Sequence, residues 1–422
     1  MKILLNNKII ENFKKLIKPV CLFYAVVASF LVANFPTVKF AYALNISRDN
    51  AVLMRGFIFF IAIIILFYFT FKNFYKLKEY LLWDVFFRSV AVFLFLAILV
   101  STLRATYMGE VYANISLSPF DQDVGFFYRR ILEPAVAFFL QLKGQFLYSC
   151  LHFLITFSSI YMIILWLEKK VLVNFKIWQL VSIMTAGMII HQFEAPGYPD
   201  QIILLLALLS FFVPLNKYGR ISLLALMFLS HESAALFLGF IFSWFYFPKE
   251  ERWYYFLLPV SYYFLWLVNY DFNFTNLFLG HLSLTNENAI TLFFKNINLA
   301  VLSVFFAYKF LWILVFIGCY FYFKEKNYKL FYQIIVMVFA PLALVIVPDT
   351  SRVVAWGNIG VFLAIACSSK HLSARAFNLI LVLNLLLPSV AVGTASGGAV
   401  SYAGLYGFVI YLFKLLVKNY LM

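Results

Sequence analysis

Acidic, basic and histidine side chains interrupt this largely apolar chain in four places, and side chains of these types bind phosphates or transfer protons. In the first group, Asp121 and Asp123 can present two carboxylates to one ligand, as a general base or as ligands of a divalent cation such as Mg or Mn. Tyr128, Arg129 and Arg130 follow closely, and the guanidinium fork of arginine matches the oxygens of a phosphate. Alternatively, an aspartate caps an amphipathic interfacial helix whose arginines contact lipid headgroups.

The second and third groups stand next to apolar runs of the sequence. In the second group, His191, Glu194 and Asp200 fall in a short loop where they can face a ligand. The alternative is that His191 and Glu194 are solvated and that Asp200 caps the next helix. His231 and Glu232 have mostly apolar neighbours on both sides. Because ionisable groups at membrane depth usually face a cavity or a partner, this pair is predicted to orient a pyrophosphate, bind a sugar hydroxyl or relay a proton. The alternative is a hydrogen-bonded pair within one long tilted helix.

The fourth group consists of Asp349 and Arg352, in a turn between two apolar runs. These residues either pair with each other or, alternatively, Arg352 binds a lipid-linked phosphate while Asp349 holds its guanidinium in place. His152 and Lys309 are lone ionisable residues inside apolar runs. Each is expected to snorkel or to form a hydrogen bond within the protein.

The composition predicts the elements that must position these groups. Of the 422 residues, 64% are hydrophobic and only 12% are charged, whereas soluble domains are about half apolar. Apolar runs long enough for a membrane helix, such as Val171 to Ile190, recur along the chain. The expected fold class is therefore all-α, a polytopic integral membrane protein with about 12–14 transmembrane segments in a single domain over residues 1–422.

The distribution of lysine and arginine predicts how the chain is oriented. The N-terminal tail and alternate loops are basic, so the N-terminus is expected on the cytoplasmic side of a bacterial plasma membrane. This alternation requires an outer turn at His231, which divides that segment into two short broken helices. The first group of acids then belongs to an outer loop, residues 104–146, with an interfacial helix after Asp123. The net charge of +15 is explained by the basic loops and their attraction to membrane lipids, and it does not indicate a nucleic-acid partner.

The stretch FDQDVGFFYRRILEP, from Phe120 to Pro134, is similar to the acid-bearing first large outer loop of the GT-C superfamily of polyprenyl-phosphate-dependent glycosyltransferases. The late acid and arginine of the fourth group add to this resemblance. The resemblance implies that a sugar passes from a polyprenyl-phosphate-linked donor to a glycan, lipid or protein acceptor on the outer face. It also implies that Asp121 or Asp123 is the base or a metal ligand, and that Arg352 contacts the phosphate.

The residues and the resemblance together predict an inverting glycosyltransferase of cell-surface polysaccharide or glycoconjugate assembly. The nearest alternative is a polysaccharide polymerase or ligase of O-antigen or capsule type, which uses the same donors. A flippase or other transporter of lipid-linked oligosaccharides would carry charge along a pathway that reaches both sides, whereas the unusual polar residues of this chain are predicted on the outer side. A non-catalytic assembly scaffold is a further alternative, because no motif is strong enough to exclude it.

Overall fold

The computed structural model describes residues 2–100, 108–121, 126–194, 196–269, 297–344, 350–389, 391–393 and 399–401. Two of the predicted site residues, Asp123 and Asp349, lie outside these ranges, and so does the side chain of Glu194. Within the described ranges the ordered structure is helical, apart from one antiparallel pair of three-residue strands, β1 (Ala391–Gly393) and β2 (Ala399–Ser401). This agrees with the predicted all-α class.

The helices are numbered in chain order. Those of the first part are α1 (Lys2–Asn34), α2 (Thr37–Leu44), α3 (Arg48–Phe71), α4 (Trp83–Val100), α5 (Met108–Ile115), α6 (Phe126–Arg129), α7 (Leu132–Phe139) and α8 (Gln145–Trp166). Those of the middle part are α9 (Ile177–Met184), α10 (Met188–Glu194), α11 (Asp200–Leu209), α12 (Lys217–Ser230), α13 (Glu232–Ala234), α14 (Ile241–Tyr246) and α15 (Arg252–Asn269). Those of the last part are α16 (Ile297–Tyr308), α17 (Leu311–Lys324), α18 (Tyr328–Phe339), α19 (Thr350–Val354), α20 (Asn358–His371) and α21 (Ala374–Leu386). Short 3₁₀ segments cover Phe74–Tyr80, Lys249–Glu251, Ala340–Leu344 and Ala355–Gly357, and short π-helical segments cover Leu167–Val171 and Ala235–Phe240.

Several helices have the length and composition of membrane spans. Five in the described ranges are long and apolar enough to cross a bilayer: Ile17–Asn34, Arg48–Phe71, Trp83–Val100, Gln145–Val171 and Arg352–His371. A sixth span results if α16 and α17, which meet at 72°, are taken together. Further apolar helices of 10–17 residues are too short to cross alone. These helices agree with the prediction of a membrane protein.

The spans differ in how far they are surrounded by protein. The Arg352–His371 span is 89% buried inside the protein, so it is central. The Trp83–Val100 span is only 28% buried, so it is peripheral. The outward face of α4 carries large apolar side chains such as Phe87 and Ile98, which are 64% and 66% exposed. Such a face is favourable in lipid, where apolar side chains lose nothing by facing the hydrocarbon.

The predicted interruption at His231 is present as a turn. Helix α12 ends at Ser230, His231 has an extended backbone (φ −161°, ψ 106°), and α13 begins at Glu232. Near the start of α12, Arg220 donates from Nε to Oε2 of Glu251, a residue that follows α14, at 2.8 Å. The two helical segments therefore run antiparallel, with His231 at their turn.

The predicted span from Val171 to Ile190 is broken. Helix α9 ends at Met184 and α10 begins at Met188, because Gly187 between them has a φ of 75°, which is incompatible with a continuous right-handed helix. The backbone N–H of Gly187 donates to the carbonyl of Ala307 at 2.7 Å instead of to the preceding turn. Hydrophobicity alone does not reveal a break of this kind.

Helices α8, α11 and α12 lead to two chemically different ends of the protein, a polar end and a basic end. At the polar end, Asp200 begins α11 and His231 follows α12. At the basic end, Lys170 follows α8 and Lys217 begins α12. Because α12 has 14 residues and rises 1.5 Å per residue, the two ends are about 20 Å apart.

Candidate functional site

An ion pair between Arg130 and Glu232 lies at the centre of the polar end. The guanidinium donates from Nε to Oε2 at 3.2 Å and from Nη2 to Oε1 at 3.1 Å. Its Nη1 donates to the hydroxyl of Tyr112 at 2.9 Å. The Glu232 side chain is 0% exposed and that of Arg130 is 7% exposed. Two parallel charge-assisted hydrogen bonds in buried surroundings hold the guanidinium in one orientation.

Asp200 connects Arg352 and His231 at the same end. Its Oδ2 accepts a hydrogen bond from Nη1 of Arg352, and its Oδ1 lies 3.4 Å from Nε2 of His231. The other ring nitrogen, Nδ1, accepts from the backbone N–H of Ala234 at 3.3 Å. A neutral His231 therefore carries its proton on Nε2, facing Asp200. Asp200 pairs with an arginine and does not cap α11, whose N-cap is Pro199 and lacks a side-chain cap hydrogen bond.

Helix starts and a turn bring these acids together. Asp200 is the first residue of α11 and Glu232 the first of α13, where the exposed N–H groups of a helix favour negative charge. Gly197, in the loop before α11, has a φ of 105°, which side chains with a Cβ rarely adopt. A Cβ on Gly109 of α5 would lie 1.9 Å from the carbonyl oxygen of Pro196. Direct backbone contact therefore places α5 against the loop that leads to Asp200.

Aromatic rings stack on the guanidinium groups of this end. The guanidinium carbon of Arg129 lies 3.3 Å from the ring centroid of Trp266, and that of Arg352 lies 4.4 Å from the ring of Tyr198. A ring face attracts a cation and is poorly hydrated, so it holds the charge in place without neutralising it. A guanidinium held in this way can still bind an anion through its edge.

Buried polar atoms without partners occur on α11, which begins at Asp200, and on α10, which packs against it. Gln192 and Gln201 are 0% exposed, and neither atom of either amide forms a hydrogen bond in the described part of the chain. The facing atoms Oδ1 of Asp200 and Nε2 of His231 also lack a hydrogen bond of good geometry there. A buried amide without a partner costs about 1–3 kcal/mol, so natural proteins keep such groups where they meet a polar ligand or water.

Burial and ion pairing set the ionisation of the groups around Arg130. Burial acts to lower the pKa of the Arg130 guanidinium, but Glu232 and Tyr112 outweigh it, so that this pKa lies above its ordinary value. Burial raises the pKa of Tyr112 to about 12, although Arg130 partly offsets it. At neutral pH the polar end therefore contains a fixed cation beside a neutral phenol.

A second buried acid pairs with a histidine nearby. Glu133 of α7 and His152 of α8 are both 0% exposed, and Oε1 lies 3.1 Å from Nδ1. Burial raises the pKa of Glu133, and His152 acts in the opposite direction. For His152 the expected hydrogen bond within the protein is confirmed. The same holds for Lys309, which is 0% exposed and donates to Thr185 Oγ1 at 3.1 Å and to the carbonyl of Leu387 at 3.0 Å.

The structure brings part of the predicted site together. The predicted residues that it joins are Arg130, Asp200, His231, Glu232 and Arg352. It also buries Arg129, the last residue of α6, and His191 of α10. Tyr128 is half-buried.

Asp121 belongs to a different ion pair. Its Oδ1 accepts from Nε of Arg48 at 2.8 Å, and the two side chains are 38% and 49% exposed. The described residues contain no group of three or more His, Cys, Asp or Glu side chains that could hold a metal ion.

Sequence reasoning missed several polar residues of this end. Tyr112, Glu133 and Tyr148 were not singled out, although all three are buried and Tyr148 donates to the carbonyl of Gly197 at 3.3 Å. The available signal was a glutamate followed directly by a proline in an otherwise apolar stretch, at Glu133. Proline is favoured in the first turn of a helix, which marks Glu133 as a residue at a helix start.

Comparison with known proteins identifies no relative. No protein-family model matches the chain, and neither a curated protein nor a solved structure is similar to it. The resemblance of the stretch from Phe120 to Pro134 to the GT-C superfamily stays a prediction. Function therefore has to be inferred from the contacts at the polar end.

Proposed function

We propose that this chain is a membrane glycosyltransferase that transfers a sugar from a polyprenyl-phosphate-linked donor to an acceptor, and that the polar end binds the donor's phosphate. The observation that carries the proposal is the buried network of Arg130 with Glu232 and of Arg352 with Asp200 and His231. Burying several charges in a protein interior costs several kcal/mol per ion, and ionisable groups in such surroundings cluster at functional sites. Arginine suits phosphate in particular, because its fork binds two oxygens at once.

The carboxylates orient the arginines before the donor binds. Glu232 holds Arg130 by two hydrogen bonds, and Asp200 holds Arg352. Donors fixed in advance stabilise charge that develops on a leaving group without having to reorganise. The phosphate of the donor, once bound, shares these guanidinium groups with the carboxylates.

The transfer itself needs a base and an anion site. The acceptor hydroxyl attacks the anomeric carbon, the bond from that carbon to the phosphate oxygen breaks, and the phosphate leaves with the electron pair. The hydroxyl proton passes to a carboxylate. For this base we propose Asp121 or Asp123, as the resemblance implies; Asp121 is partly exposed and can reach solvent-borne substrates.

We further propose that the polar end faces outward across a bacterial plasma membrane, with the N-terminus inside and about 12–14 segments in total. The basic end supports this orientation, because lysine and arginine accumulate on the cytoplasmic side. Lys76, Lys170 and Arg220 lie together at that end. Asp200 and His231 lie at the other end of α11 and α12.

Release of polyprenyl phosphate from a lipid-linked sugar by the purified protein in detergent tests the proposal. Replacement of the base, by Asp121→Asn or Asp123→Asn, should lower turnover by about 100-fold or more. Asp84→Asn is the matched control, because that side chain is 81% exposed at the start of α4 and should be neutral. No release by the wild-type protein, or full turnover in both aspartate variants, contradicts the proposal. A product in which the glycan grows on the lipid carrier identifies a polymerase instead.

A further inference from the structure

A cavity at the basic end is lined by cations and aromatic rings. We call it the basic cavity and define it by Lys76, Tyr80, Lys170, Phe212 and Arg220. Its volume is about 480 Å³, within the range of about 300–1,000 Å³ typical of small-ligand sites. Its walls come from the 3₁₀ segment after α3, the π-helical segment after α8 and the loop between α11 and α12. It lies about 20 Å from the polar end, across the length of α12.

The cavity has an excess of positive charge, because Lys76, Lys170 and Arg220 line it with a single carboxylate, that of Glu79. Arg220 is neutralised by Glu251, with Nη2 at 2.5 Å from Oε1. The ammonium of Lys170 lies 5.5 Å from the ring centroid of Phe212 and forms no ion pair with a described residue. Lys76 likewise forms no ion pair with a carboxylate in the described part of the chain. The two lysines together exceed the single charge of Glu79, which leaves the cavity positive toward an anion.

The 3₁₀ segment that contributes to the cavity has the composition of a membrane interface. The same 3₁₀ segment that supplies Lys76 also exposes Phe74 and Tyr75, by 47% and 70%, and Trp83 just beyond it is 74% exposed. Aromatic side chains of this kind settle at the level of lipid headgroups. Lysines next to them meet headgroup phosphates, which attract basic residues near the membrane surface.

We propose that the basic cavity binds the phosphate group of an anionic ligand, with Lys76 and Lys170 on the phosphate oxygens and the rings of Tyr80 and Phe212 against the adjoining part of the ligand. The ligand class is a phosphate monoester, either the headgroup of a membrane lipid or a soluble phosphate. This site does not depend on the proposed sugar transfer, because it lies at the opposite end of α12 and shares no residue with the polar end.

Binding measurements on the full-length protein in detergent test the proposal. The probes are short-chain phosphatidic acid, short-chain phosphatidylcholine and inorganic phosphate. We expect phosphatidic acid to bind, and Lys76→Gln/Lys170→Gln to weaken it by about tenfold or more through loss of two charge-assisted contacts. The matched control is Lys78→Gln/Lys169→Gln, which removes the same charge from exposed lysines on the same two segments that do not line the cavity.

The pattern of binding identifies the source of the phosphate. Binding of phosphatidic acid alone indicates a lipid, whereas equally tight binding of inorganic phosphate indicates a soluble ligand. In both cases the cavity variant must lose binding and the control variant must keep it. Equal loss in both variants, equal binding of phosphatidylcholine, or no binding by the wild-type protein would overturn the proposal.

Discussion

Removing one member of the Arg130–Glu232 pair should destabilise the protein more than removing both. The pair is buried and joined by two hydrogen bonds, at 3.1 and 3.2 Å. Arg130→Met leaves a buried carboxylate without its cation, and Glu232→Leu leaves a buried guanidinium without its anion. Loss of one partner of a buried pair typically costs about 3–5 kcal/mol, whereas apolar replacement of both is often close to neutral. We therefore expect the free energy of unfolding of the double variant to exceed that of either single variant by at least about 2 kcal/mol.

Denaturant unfolding in detergent micelles measures these differences. The control is the exposed pair of Arg48 and Asp121, whose side chains are 49% and 38% exposed. There each single substitution, Arg48→Met or Asp121→Leu, should cost about 1 kcal/mol or less, and the double variant should regain nothing. Additive losses at the Arg130–Glu232 pair, or the same response at both pairs, would show that the polar end is not a desolvated ion-pair network.

Three further predictions concern the rest of the protein. Burial acts to raise the pKa of Glu251, but its hydrogen bonds from Arg220 and a neighbouring tyrosine lower it below the ordinary value of 4.5. Its ionised carboxylate therefore stabilises the folded protein above about pH 4.5, and this stabilisation is lost as the pH falls through the lowered pKa. Glu251→Gln should lower the free energy of unfolding by about 1 kcal/mol at pH 7 and leave it unchanged below that pKa. Thermal melts of both proteins at several pH values measure the difference. Gly109→Ala should abolish sugar transfer and lower the melting temperature by several degrees, because the added Cβ would lie 1.9 Å from the carbonyl oxygen of Pro196. A melting temperature equal to that of the wild-type protein would contradict this. In a cysteine-free background, Ser118→Cys should react with an impermeant maleimide on intact cells and Lys249→Cys only after permeabilisation, and the reverse pattern would invert the proposed orientation.

Local features of this fold were predictable from sequence. The turn at His231 was expected because polar residues interrupt an apolar run and because the basic loops alternate only if the chain reverses there. Its helical segments do run antiparallel, as the contact of Arg220 with Glu251 requires. The break at Gly187 was missed, since a single glycine in an apolar run leaves the hydrophobic pattern unchanged.

The partners within the site were not predictable. Arg130 meets Glu232 across 102 positions of sequence, and Arg352 meets Asp200 across 152. Periodicity and charge patterns identify residues that need a partner, but the packing of helices decides which residues meet. For Asp200, capping and ligand binding are equally plausible from sequence. The structure makes Pro199 the N-cap of α11 and pairs Asp200 with Arg352.

The affinity of the polar end for a lipid phosphate tests the central claim most directly. Binding of a short-chain polyprenyl phosphate is measured in the Lys76→Gln/Lys170→Gln background, so that the basic cavity does not contribute. Arg352→Lys should then weaken binding by about tenfold at an unchanged melting temperature, because an ammonium cannot replace the guanidinium fork. Arg375→Lys, on an exposed residue of α21, should leave the affinity unchanged. Unchanged affinity in folded Arg352→Lys protein would contradict the assignment of the polar end as a phosphate site.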